Sequence, residues 1–141
     1  MPARSATSAV AATKPLDEKI TINIGYVDLG QIDLLVQEGF YANRTDLIRT
    51  AIRNQLATHA DAVKQAVARK TLVLGIHHLS AADLRAVKKS GQALQIRVLG
   101  LASIAHDVSP ELALSTIDSV TVLGALHASP AVKAALAGRI R

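Results

Sequence analysis

Polar and apolar residues alternate strictly over Lys19-Ile20-Thr21-Ile22-Asn23-Ile24, with β-branched side chains on one side of the alternation. Successive side chains of a strand point to opposite faces, so this period and these residue types predict a half-buried strand. No second alternating run follows at hairpin distance. A lone amphipathic strand must bury Ile20, Ile22 and Ile24 against something, and the same strand of a second copy is the economical partner. Lys19, Thr21 and Asn23 then face outward.

The period changes after Gly25. Leu29, Ile32, Leu35 and Val36 form a helical stripe, preceded by Asp28 and Gln31 at capping-box spacing and followed by Gly39 as a stop signal. A second helix is expected to open with Asn43 as N-cap and Asp46 at its third position. Leu47, Ile48, Ala51, Ile52 and Leu56 make its apolar stripe, with Arg44, Arg49 and Arg53 among the polar positions. Neither Gly nor Pro occurs between Phe40 and Leu74, and Ala60, Val63 and Val67 continue the stripe, so the helix runs on or restarts as a stalk. Residues 1–17 show no periodicity and read as a flexible arm.

From residue 71 the texture is different. Val73-Leu74-Gly75, Val98-Leu99-Gly100 and Val122-Leu123-Gly124 recur, and each is followed by a Ser-led helical start at Ser80, Ser109 or Ser129, the last two with Pro next. A short strand, a Gly turn and a short helix, repeated, predict a small β/α solenoid; the alternative is chance recurrence in an Ala/Leu/Val-rich sequence. This unit looks like a short leucine-rich-like repeat and is expected to serve oligomerisation or partner binding.

Composition narrows the function classes. The 141 residues carry a net charge of +5 and only three aromatics, Tyr26, Phe40 and Tyr41. Residues 1–70 hold nine basic and seven acidic side chains, residues 71–141 seven and four. The charge therefore permits nucleic-acid binding without locating it. Cysteine is absent, which excludes disulfides and thiolate metal sites and fits a reducing compartment. No window has the apolar length of a membrane span or the pattern of a signal peptide, so the chain reads as soluble and cytoplasmic, with no membrane partner.

No catalytic or metal site is expected. Ser103, His106 and Asp107 lie close in sequence, but proximity supplies neither an orienting shell nor an oxyanion environment. His77-His78 invites a metal reading, yet His59, His106 and His127 lack the spacing of a local metal motif, so these histidines are expected in solvated repeat loops. No cofactor is implied, since no phosphate-cradling Gly loop or dinucleotide fingerprint occurs.

An alternating strand, a capped helix, a Gly-aromatic turn and an Asn-capped helix follow one another here. With Gly39-Phe40-Tyr41-Ala42-Asn43-Arg44-Thr45-Asp46-Leu47-Ile48-Arg49 at the turn and second helix, the segment resembles the ribbon-helix-helix, or Arc/MetJ/CopG-type, DNA-binding superfamily. The resemblance implies an α+β fold in which two chains pair Lys19–Ile24 into an intermolecular antiparallel ribbon, with Ile20, Ile22 and Ile24 in the dimer core. It implies Lys19, Thr21 and Asn23 as base readers in the major groove and Asn43, Arg44 and Thr45 as phosphate contacts. For the outward strand face the plain alternative is solvation; for Asn43 it is capping alone.

The expected domains are the arm at 1–17, a ribbon-helix-helix DNA-binding domain at 18–58, a helical linker at 59–70 and a repeat domain at 71–141. The resulting expectation is a dimeric, sequence-specific regulator of transcription, a repressor bound to double-stranded DNA on the nucleoid, with higher oligomers through residues 71–141. Two other readings stay open. One is an antitoxin of a toxin–antitoxin pair; the other is a partition or DNA-coating protein assembled through its repeats.

Overall fold

The computed structural model describes residues 17–141. The arm expected over residues 1–17 lies outside that range but for Asp17. The chain divides into two compact units, Met1–Ile52 and Arg53–Arg141, with the division inside the second helix.

In the first unit residues 17–25 belong to no helix or strand, and all of them are exposed. The strand expected over Lys19–Ile24 thus has no partner strand among the described residues of one chain. Helix α1 spans Tyr26–Gln37 and is capped by the extended Gly25, without a side-chain cap. It begins earlier than Asp28 and Gln31 suggested, and Asp28 lies in its first turn. A carboxylate there favours the helix through the dipole as well as a cap would, so composition does not separate the two placements.

The end of α1 follows expectation. Gly39 takes φ +86°; its N–H donates to the Val36 carbonyl, and that of Phe40 to Leu35. This pair of bonds satisfies carbonyls the helix would leave open, and it needs a left-handed residue at Gly39. Helix α2 then spans Arg44–Thr58.

No residue from 17 to 71 is buried in the single chain. Ile20, Ile22, Leu34, Phe40 and Leu56 are each more than half exposed. These two helices carry apolar stripes with no core to receive them.

The second unit takes in the last residues of α2, then α3 (Ala60–Lys70), β1 (Val73–Leu79), α4 (Ala81–Ser90), β2 (Leu94–Ile104), α5 (Pro110–Thr116), β3 (Ile117–His127) and α6 (Pro130–Leu136). The expected stalk is a restart: His59 interrupts the helix for one residue before α3. A 3-10 turn, Ala137–Arg139, follows α6. The strands form one parallel sheet in the order β1-β2-β3. Helix α4 packs on α5 and α5 on α6, so helix and strand layers advance together.

Each of the three helices that follow a Ser is capped as its sequence indicates. The Ser80 hydroxyl accepts from the Asp83 N–H, and the Asp83 carboxylate accepts from the Ser80 N–H at 2.9 Å. The Ser109 and Ser129 hydroxyls accept from Leu112 and Val132, each with Pro at the next position. Between the layers lies a core without aromatics, in which Leu84, Ile96, Val98, Ile117, Val120, Val132 and Leu136 are almost wholly buried. The Thr116 hydroxyl, also buried, donates to the Leu112 carbonyl at 2.7 Å.

The recurring glycines are not turns after the strands, as the sequence suggested; they lie within them. Gly75, Gly100 and Gly124 form one rung, flanked by Leu74, Leu99 and Leu123 on one side and by Ile76, Leu101 and Ala125 on the other. All three have φ between +123° and +138°. A Cβ on Gly100 would collide with the Gly75 carbonyl oxygen, and one on Gly124 with that of Gly100. The motif recurs because each glycine's carbonyl occupies the place of the side chain missing from the glycine on the next strand.

Candidate nucleic-acid interface

The interface expected from the sequence comprises residues 19–24 and the start of α2. Ile20 and Ile22 are 75% and 65% exposed, and Ile24 is 37% exposed. One copy therefore does not bury the three residues assigned to the dimer core. Lys19, Thr21 and Asn23 alternate with them and are exposed too.

At the start of α2 the cap is built from side chains. The Asn43 Oδ1 accepts from the Asp46 N–H at 2.8 Å, and the Asp46 Oδ2 accepts from the Ala42 N–H at 3.0 Å. Arg44 and Thr45 hold the first two helical positions, whose N–H groups have no acceptor inside the helix. With the positive end of the helix dipole they make a place suited to an anion.

Arg44 has a partner that sequence spacing did not suggest. Its Nε and Nη2 donate to the two carboxylate oxygens of Asp33 at 2.7 and 2.8 Å, a bidentate pair across the Gly39 turn. The bond to Arg44 holds the Asp33 carboxyl below its ordinary range, and the same bond raises the guanidinium. Both side chains are about half exposed, so the pair contributes orientation more than stability. It ties α1 to the start of α2 and leaves the Nη1 edge of the fork for another acceptor. The only sequence signal was an acidic residue on the outer face of α1.

Ser103, His106 and Asp107, close in sequence, have no hydrogen bond to one another among those described. His77 and His78 lie in β1, not in a loop. His78 Nδ1 is 3.2 Å from the Ser103 hydroxyl, and Asp107 accepts from the Ala81 N–H at 3.3 Å. The rung His78, Ser103, His127 places two histidines in the same register with a serine between them. No group of three or more metal-ligating side chains occurs among the described residues. No helix among them is long and apolar enough to cross a membrane.

One comparison decides the family. The profile of the Ribbon-Helix-Helix transcriptional regulator family matches residues 15–133. The chain belongs to that family. The match reaches well beyond the segment whose motifs suggested it and takes in most of the second unit. No curated protein and no solved structure matches the chain.

Proposed function

We propose that two copies of this ribbon-helix-helix regulator pair their Lys19–Ile24 segments as an antiparallel β-ribbon. The ribbon enters the major groove and directs Lys19, Thr21 and Asn23 at base edges. The observation that carries this reading is the absence of any buried residue from 17 to 71. Pairing two alternating segments gives their backbones hydrogen-bond partners and turns the isoleucine face toward the helices of both chains, where the stripes of α1 and α2 lack a core. Lys suits guanine, Asn suits adenine, and Thr suits either a polar edge or a thymine methyl. The first turn of α2, with Asn43, Arg44 and Thr45, then meets a backbone phosphate beside the groove.

A protein fixed to a short operator in this way excludes other proteins from it, so repression is the simplest regulatory outcome. Such a repressor works on the nucleoid in the cytoplasm. The repeat unit is proposed as an assembly module that joins dimers on neighbouring sites. Its self-contained core weighs against the antitoxin reading, in which such a tail orders only on its toxin. Selection of bound duplexes from a random pool tests the proposal. A consensus of two related half-sites is expected, and recovery of unenriched sequence would contradict base reading.

A further inference from the structure

We propose that the repeat unit continues through a second copy: the outer edge of β3 in one chain pairs, in parallel and in unbroken register, with the outer edge of β1 in the next. This rests on the assembly role just proposed and names its surface.

The end rungs are unfinished. In the ladder Val73, Val98, Val122 the middle residue is fully buried, whereas Val73 is 53% exposed. In the ladder Leu74, Leu99, Leu123 the end residues are 68% and 51% exposed, and the middle one is half-buried. β1 and β3 are the edge strands of the sheet, and neither edge carries proline or a lysine that would discourage pairing. Repeats that end without polar caps expose the surface their interior copies bury.

The glycine rung gives the pairing its direction. Each carbonyl projects into the Cβ position of the next glycine, Gly75 into Gly100 and Gly100 into Gly124. Gly75 holds the same conformation, φ +124°, with nothing within 4 Å of its own Cβ position. Gly124 is the last in the series, so its carbonyl points past the edge of β3. The open space at Gly75 and the carbonyl of Gly124 are complementary, and only a second copy brings them together.

The lengths of the edges agree as well. β2 and β3 share the rung Ile96–Val120, but β1 starts only at Val73, opposite Val98, and leaves that earlier rung uncovered. On the far side of the sheet the same rung is taken by Ile140, which bridges Val120 in parallel, while the Arg141 N–H donates to the Val120 carbonyl at 2.8 Å. The outer edge of β3 thus accepts a parallel strand in register. Beyond the Ile140 bridge at Val120, Val122–Leu126 would take Val73–His77 of the next chain in the same register. Such head-to-tail pairing is heterologous, so each added copy offers a fresh β3 edge and a fresh β1 edge and more than two copies can join.

Cysteine scanning of the full chain tests this on a background without native cysteine. At the junction residue 74 of one copy lies beside residue 123 of the next, at the strand spacing of roughly 4.8 Å, within disulfide reach. Under mild oxidation Leu74→Cys alone and Leu123→Cys alone should stay uncrosslinked. Their equimolar mixture should give one disulfide-linked dimer, and the double variant a ladder of covalent oligomers. A disulfide in Leu74→Cys alone would mean that sheet faces, not edges, meet; edge pairing would fall and the assembly role would stand. No disulfide in the mixture, with wild type sedimenting above a dimer, overturns edge pairing in the same way. Wild type remaining a dimer up to its solubility limit overturns both.

Discussion

Asn43 and Asp46 close the start of α2 between them, one accepting from a helical N–H and the other from the Ala42 N–H before the helix. The geometry accounts for Asn43 as a cap; its phosphate role belongs to the proposed complex. In the proposed complex base reading falls to the ribbon face, and there Asn23 is the residue to test first. Asn23→Ala is expected to cost about 1–3 kcal/mol at the selected site and to relax one position in each half-site. The check is repeated selection with the variant; an unchanged consensus would remove Asn23 from the readers. Asp83 gives a prediction in the repeat unit. The Ser80 backbone N–H, and then its hydroxyl, hold the Asp83 carboxyl below its ordinary value, with His78 and His77 adding to the effect. A depressed folded pKa means the ionised box stabilises above the unfolded carboxylate value and is lost as pH falls through the folded one. Asp83→Asn should therefore melt below wild type at neutral pH, and the gap should close once the pH drops below the ordinary carboxylate range. Thermal unfolding of both proteins across that range measures it.

At the scale of elements, the start of α2 and the glycine rung make separate demands. If the Nη1 edge of Arg44 meets a phosphate while Asp33 orients the fork, Arg44→Ala should weaken selected and unrelated duplexes alike. It should also lower the salt slope of binding by about one for each phosphate left without its cation, read from titrations at several salt concentrations. Gly100→Ala adds a side chain at φ +138° that collides with the Gly75 carbonyl. The backbone strain alone is of order 1–3 kcal/mol, and with the collision the repeat unit should unfold at a visibly lower temperature by circular dichroism. Local signals were legible in the sequence: the caps at Ser80, Ser109, Ser129 and Asn43, the stop at Gly39, and the recurrence from residue 73. Signals that depend on a neighbour were not. Nothing near Gly100 in sequence shows that it lies inside a strand, because the constraint comes from the carbonyl of Gly75 on the neighbouring strand. The Arg44–Asp33 pair was hidden for the same reason, since it bridges a turn whose path sets the distance.

For the whole molecule, the two units differ in what a single chain can complete. The second unit builds its own core from Leu79 to Leu136. The first unit buries nothing among its described residues, although the turn at Gly39 and the cap at Asn43 were readable; in the proposed dimer its core comes from a second chain. That contrast is the reason for placing dimerisation in residues 17–58. Ile22→Lys sets a charge among the six isoleucines two chains would bring together, and burying an unpaired charge costs several kcal/mol. Dimer and DNA binding should be lost together. The most direct measurement is sedimentation velocity of full-length wild type and Ile22→Lys, alone and with the selected duplex. The expected result is a wild type no smaller than a dimer, at least two chains on each duplex, and a variant that neither dimerises through the ribbon nor binds DNA. A monomeric wild type at micromolar concentration, or one chain bound per duplex, would contradict it.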